Sequence, residues 1–255
     1  MQCTKSVVIK DKLLAIRQII FSTYYIMLPP ESPLTVFRRA YFEPIDQYLA
    51  WHDGFGFFTD LACLDVLTLA EREQAATELL AALRASTADA RAMLGLGHLR
   101  AAEALPLLHD YVRRGWSAGY ALEAIAAINP AGLYPPIVAT QLRAKKSTEF
   151  QLMDLLIGLR EYFTLPQLGP VIPPLIFNLL THSEYLVRYH ALDTLRRLYS
   201  AMTKEEINDY ERIKKDEIFS LLVKEGLFTN FGKAQRLLLA ELPAATLAAY
   251  PLVVR

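Results

Sequence analysis

Residues 87–116, TADARAMLGLGHLRAAEALPLLHDYVRRGW, and residues 117–146, SAGYALEAIAAINPAGLYPPIVATQLRAKK, decide how this chain of 255 residues folds. Laid over one another, they share a Ser or Thr start, a small and apolar first half, a central break, and a proline followed by apolar residues. Thr87, Ser117 and Ser147 are thirty positions apart, and so are Pro106 and Pro136. A fourth unit starts at Ser183, thirty-six positions after the third, and the extra residues are assigned to a central loop at 164–169. Self-similarity at a period of 20 to 50 residues points to a stacked array of small units.

Each unit reads as two helices. The Ser or Thr at its start suits an N-cap, whose oxygen accepts from an orphan backbone N–H of the first turn. Ala90, Met93, Leu94 and Gly97 keep the spacing of one apolar helix face. The second helices open at Leu105-Pro106, Tyr134-Pro135-Pro136 and Ile172-Pro173-Pro174. Proline is at home in a first turn, where no N–H is needed and φ is already helical. Outward from the repeats, Thr68-Leu69-Ala70-Glu71 is a capping box for a helix to about Ala85. Thr203-Lys204-Glu205-Glu206 is another, expected to open one long charged helix towards Lys224. Residues 227–242 make a further amphipathic helix. No alternating β-branched run is present, so the expected class is all-α.

A two-helix unit of this length resembles the short, lyase-type HEAT-like repeat, and residues 90–97 (ARAMLGLG) and 101–108 (AAEALPLL) carry the resemblance best. Leu186-Val187-Arg188-Tyr189-His190-Ala191-Leu192 stands in for the same start in the fourth unit. The resemblance implies an α-α superhelix, a HEAT-like solenoid of stacked antiparallel helix pairs over residues 57–255, with 1–56 as a helical N-terminal cap or extension. It further implies a partner taken on the face lined by the second helices. No unit of such an array buries its own apolar face; stacking makes the core.

Composition bounds the function. Hydrophobic residues make up 53% and charged residues 21%, with 27 basic side chains balancing 27 acidic ones. A folded chain of this size buries about 70 to 75% of its unfolded surface and needs no disulfide or metal to hold a core. Zero formal charge disfavours generic nucleic-acid binding. Two cysteines, Cys3 and Cys63, form no disulfide framework and suit a reducing, cytoplasmic setting, Cys63 as a small buried hydrophobe. The N-terminal basic residues are interleaved with hydrophobes and followed by Pro29-Pro30-Glu31, so no targeting segment is expected, and the uncharged run 18–30 is too short to span a bilayer.

No catalytic constellation stands out. The five histidines, His52, His98, His109, His182 and His190, lack metal-ligand spacing, and Ser183 between His182 and Glu184 is better read as an N-cap than as a triad member. Gly95 and Gly97 lack a phosphate loop's lysine and read as close helix packing. No metal, no cofactor and no enzymatic activity are therefore expected. Residues 51–58, WHDGFGFF, offer aromatic anchors for a protein partner, with Trp51 and Phe55 the most exposed; the competing reading is that they cover the end of the array. Arg113 and Arg114 end one second helix, and Arg143, Lys145 and Lys146 end the next, with Trp116 nearby. Stacking should set them side by side as a basic ridge with no acidic residue beside it. Cations at helix C-termini also complement the macrodipole without any ligand.

The expectation is a non-catalytic solenoid that captures one protein partner, the best specific guess being an inhibitor or immunity-type protein that neutralises a toxin or enzyme. A HEAT-like adaptor, or a HEAT-like enzyme acting on nucleic acid in the manner of a glycosylase, is the alternative.

Overall fold

A computed structural model describes residues 31–44, 61–223 and 230–252. Among the described residues every regular element is helical and there is no strand, so the chain is all-α. The helices are α1 (Pro33–Phe42), α2 (Ala62–Asp65), α3 (Leu69–Arg84), α4 (Ala90–His98), α5 (Leu105–Arg114), α6 (Ala118–Ile128), α7 (Pro135–Arg143) and α8 (Glu149–Tyr162). They continue with α9 (Leu165–Leu168), α10 (Ile172–Asn178), α11 (Tyr185–Leu198), α12 (Lys204–Ile207), α13 (Tyr210–Lys215), α14 (Glu217–Val223), α15 (Phe231–Glu241) and α16 (Ala244–Ala249).

Packing follows chain order in two rows. The first helices of the units run α3, α4, α6, α8, α11 and α14, each against the next, while α5, α7 and α10 pack in succession. One contiguous apolar cluster reaches from Phe37 on α1 to Leu252 near the C-terminus. The closest approaches use glycine. A Cβ at Gly97 would lie 2.8 Å from the Ala124 backbone, and one at Gly158 would lie 2.9 Å from Gly119 Cα. Two buried arginines near the starts of α4 and α11 fasten neighbouring helix ends. Arg91 donates to the Ala40 and Glu43 carbonyls at the end of α1, and Arg188 donates to Leu222 O at the end of α14.

The prolines mark helix starts as expected: α5, α7 and α10 each carry one in the first turn. The capping box at Thr68 and Glu71 opens α3, which runs to Arg84. Cys63 is buried. Several local expectations fail. Thr87, Ser147 and Ser183 do not cap the first helices: Asp89 caps α4 and Thr148 caps α8, while Glu184 precedes α11 without a side-chain bond. A carboxylate or hydroxyl one or two residues nearer the first turn takes the amide, and Ser147 turns to Gln141 instead. The expected long helix from Thr203 is three short ones. Asp209 accepts the Glu211 and Arg212 amides and Asp216 accepts that of Phe219, so each carboxylate starts a new helix where the pattern alone would continue the old one. The insertion at 164–169 holds α9, opened by a Thr164–Gln167 capping box and closed by Gly169. No helix among the described residues is long and apolar enough to cross a membrane.

Candidate functional site

Trp51 and Phe55, like the whole segment 51–58, lie outside the described residues. The remaining sequence-derived candidates come together at one edge of the molecule, where the loops ending α5 and α7 meet the N-terminal turns of α6 and α8. Three contacts make this junction. Gln151 of α8 donates to the Arg114 carbonyl at 3.4 Å, Gln141 of α7 donates to Ser147 Oγ at 3.0 Å, and Gly115 turns the chain at φ 69° against Gln141. A Cβ at Gly115 would lie 2.4 Å from Gln141 Nε2, so a side chain here would have to displace the Gln141 amide as well as adopt a left-handed backbone.

The ridge is less basic than its sequence suggests. Arg113 and Arg114 both pair with Asp110 one turn back on α5. Arg143, Lys145 and Lys146 are exposed and pair with no carboxylate among the described residues. Contrary to expectation, an acidic group does stand at the ridge, Asp110, and Glu149 opens α8 three residues after Lys146. The periodicity reading missed Asp110 because it tallied charges along the chain without asking which would share a helix face.

Between α6 and α8 runs a groove of about 300 Å³, lined by Tyr120, Phe150, Met153 and Ile157, with Gln151 and Asp154 along it. Trp116, 55% exposed, stands in the loop beside it, and Phe150, 59% exposed, forms its rim. Leu152, Leu155, Leu156 and Leu159 of α8 are buried in the core. Phe150, Met153 and Ile157 form a second stripe at helical spacing on another face of the same helix. That second stripe is the signal the sequence carried for Phe150, which the reading did not use.

Asp154 is the other group missed. Ser117 occupies the N-cap position of α6 in the left-handed region, with φ 48° and no side-chain bond. The orphan amides are instead taken from the neighbouring unit: Gly119 N donates to Asp154 Oδ2 at 3.0 Å, and Ala118 N also bonds this carboxylate. Burial pushes the Asp154 carboxyl up, while these two amides pull it back.

His52 lies outside the described residues, and the other four histidines have structural partners. His98 meets Asp65 at 2.7 Å, His109 donates to Gly132 O, and His182 Nδ1 accepts the Glu184 amide. His190 Nδ1 accepts from Arg160 at 3.2 Å. Among the described residues no group of three or more His, Cys, Asp or Glu side chains is placed to hold a metal ion. Compared with protein families, curated proteins and solved structures, the chain finds no match.

Proposed function

We propose that this chain is a non-catalytic, HEAT-like solenoid that captures one protein partner at the Trp116–Phe150 groove, and that the partner presents an acidic surface with an apolar anchor. The chain-order packing of first helices on first helices and second on second supports the solenoid reading. The observation that carries the functional reading is the exposed aromatic groove between α6 and α8, together with Arg143, Lys145 and Lys146, exposed on the segment that leads into α8 and paired with no carboxylate among the described residues. Aromatic anchors beside arginine and lysine concentrate binding energy in few residues, and the charge speeds encounter with an acidic partner. The surface lies on the loop edge between units, not on the face of the second helices that the resemblance implies. An inhibitor or immunity-type role, masking a toxin or enzyme in the cytoplasm, is the specific form we favour over an adaptor. A glycosylase-like enzyme asks for an unengaged carboxylate in a substrate groove, whereas Asp110 and Asp154 are both occupied and Glu149 does not line the groove.

The test is co-purification with the tagged full-length chain from its native cells. One stoichiometric protein is expected. It should be lost both from an Arg143→Glu/Lys145→Glu/Lys146→Glu variant and from Phe150→Ser, each checked for folding by circular dichroism. Strong salt-dependent retention on duplex DNA, abolished by the charge reversal, would instead establish the nucleic-acid reading.

A further inference from the structure

A second concavity lies at the other end of the units, bounded by the C-terminal turns of α8 and α11 and by α16. Its volume is about 710 Å³, within the span of roughly 300 to 1,000 Å³ of small-molecule sites. Arg160 and Arg197 line it, together with Tyr162, Ser200, Thr246 and Tyr250.

Neither arginine is fully engaged. The Arg160 side chain is only one-tenth exposed, yet its nearest carboxylates are Glu161 at 3.7 Å and Asp193 at 3.8 Å, beyond hydrogen-bond distance. Its one direct hydrogen bond among the described residues is to His190, a neutral acceptor at ordinary pH because burial lowers that imidazole to about 4. Arg197 Nε is buried with no acceptor among the described residues, and its Nη1 reaches only Met202 O at 3.4 Å. A buried guanidinium donor without an acceptor has lost its water and gained no partner, which is unfavourable.

The nearby carboxylates engage them only in part: Asp193 keeps one buried oxygen 3.8 Å from Arg160, and the charge of Arg197 acts on exposed Glu205. Glu161, also on this wall, accepts from Lys204 Nζ at 2.7 Å, and Tyr162 donates to Glu123. The terminal carbonyls of the two helices have backbone partners: Leu159 O takes the Phe163 amide, Leu195 O that of Tyr199, Arg196 O that of Ala201 and Arg197 O that of Ser200. The arginines are thus not consumed in capping their own helices.

We infer that this cleft binds a small organic anion, a carboxylate or phosphate on an apolar or aromatic body, with Arg160 and Arg197 gripping the charged group and Tyr162 and Tyr250 flanking the body. Planar guanidinium groups match the oxygen spacing of both anions and bind them through paired hydrogen bonds. The hydroxyls of Ser200 and Thr246 supply further donors. The site shares no residue with the Trp116–Phe150 groove and stands whether or not a protein binds there.

Titration calorimetry of the full chain with phenyl phosphate and with benzoate, at constant ionic strength, tests it. Saturable one-to-one binding is expected for at least one probe, and which one distinguishes a phosphate from a carboxylate ligand. Arg197→Gln and Arg197→Lys should each weaken it at least about tenfold. Thr246→Trp, which leaves both arginines in place and fills the cleft from its outer wall, should abolish it, and Arg143→Gln should leave it unchanged. Hydrogen exchange on the unmodified chain should slow at 160–166 and 245–250 when the probe is added. No saturable heat with either probe, binding that survives both Arg197→Gln and Thr246→Trp, or protection elsewhere would overturn the inference.

Discussion

Asp193 and His190 sit one turn apart on α11 and titrate against each other. Burial pushes the Asp193 carboxyl up to about 6, opposed by Arg160, a hydrogen bond from Tyr189, and the charges of Arg196 and Arg212; its Oδ2 is buried with no hydrogen bond. Its folded-state pKa exceeds the ordinary 3.8, so its contribution to stability is present below that value and lost as pH rises through about 6. Burial, with Arg160 adding to it, lowers His190 from 6.5 to about 4, so its contribution is present above 6.5 and lost as pH falls towards 4. The two slopes oppose between about 4 and 6, and urea-unfolding stability of the unmodified chain should be nearly flat there. Asp193→Asn should expose a decline towards acid, and His190→Gln a decline towards neutrality, each of up to about 2 kcal/mol. Parallel, unchanged profiles would dismiss this pairing. A second set of residues carries backbone cost. Helices α3, α4, α5 and α11 end in the same double hydrogen bond around a left-handed residue, at Ser86, Arg100, Gly115 and Ser200. Only one of the four is glycine. Exposed Arg100, at φ 54°, should gain about 0.5 to 1 kcal/mol on replacement by Gly, read as a higher urea midpoint with unchanged slope.

At the scale of elements, the contacts between successive first helices depend on missing side chains. A methyl at Gly158 would meet Gly119 Cα at 2.9 Å and Leu122 Cδ1 at 2.8 Å, where α8 crosses α6. Backbone cannot yield as a side-chain tip can, so Gly158→Ala should destabilise by about 1 to 3 kcal/mol despite its better helix propensity. Thermal unfolding would show the loss; an unchanged or higher Tm would mean the helices part freely at this point. The same pair of helices shows capping across units, since Asp154 of α8 finishes the first turn of α6. The small-residue pattern Gly95-Leu96-Gly97 announced close packing, and Gly97 against Ala124 bears it out. The charged stretch after Thr203 misled because periodicity ignores what a carboxylate does to nearby amides. Asp209 and Asp216 break the helix by bonding backbone, an outcome local propensity alone does not rank.

Across the whole molecule, packing by neighbours sets how damage should spread. Buried Arg196 on α11 joins Asp216, at the head of α14, and Glu241, at the end of α15, through bonds of 2.8 Å to both Glu241 oxygens and a close pair with Asp216. Arg196→Gln leaves two carboxylates short of a partner and should cost about 3 to 5 kcal/mol locally. If units interact only with their neighbours, amide exchange should accelerate in α14 and α15 and stay unchanged in α4 and α6. Uniform acceleration would show a single cooperative core and count against the solenoid.

Helical class and the proline-marked starts of α5, α7 and α10 were readable from the chain because proline geometry, capping boxes and apolar spacing are local physics. The same reading singled out Trp116, Arg114 and Lys145 from their spacing along the chain. It did not reach Phe150 and Asp154, the pairing of Arg113 and Arg114 with Asp110, or the cleft around Arg160 and Arg197. Those depend on which faces two helices turn towards each other and on which donor finds an acceptor first. Such choices are made by side chains far apart in sequence, and packing alone decides them.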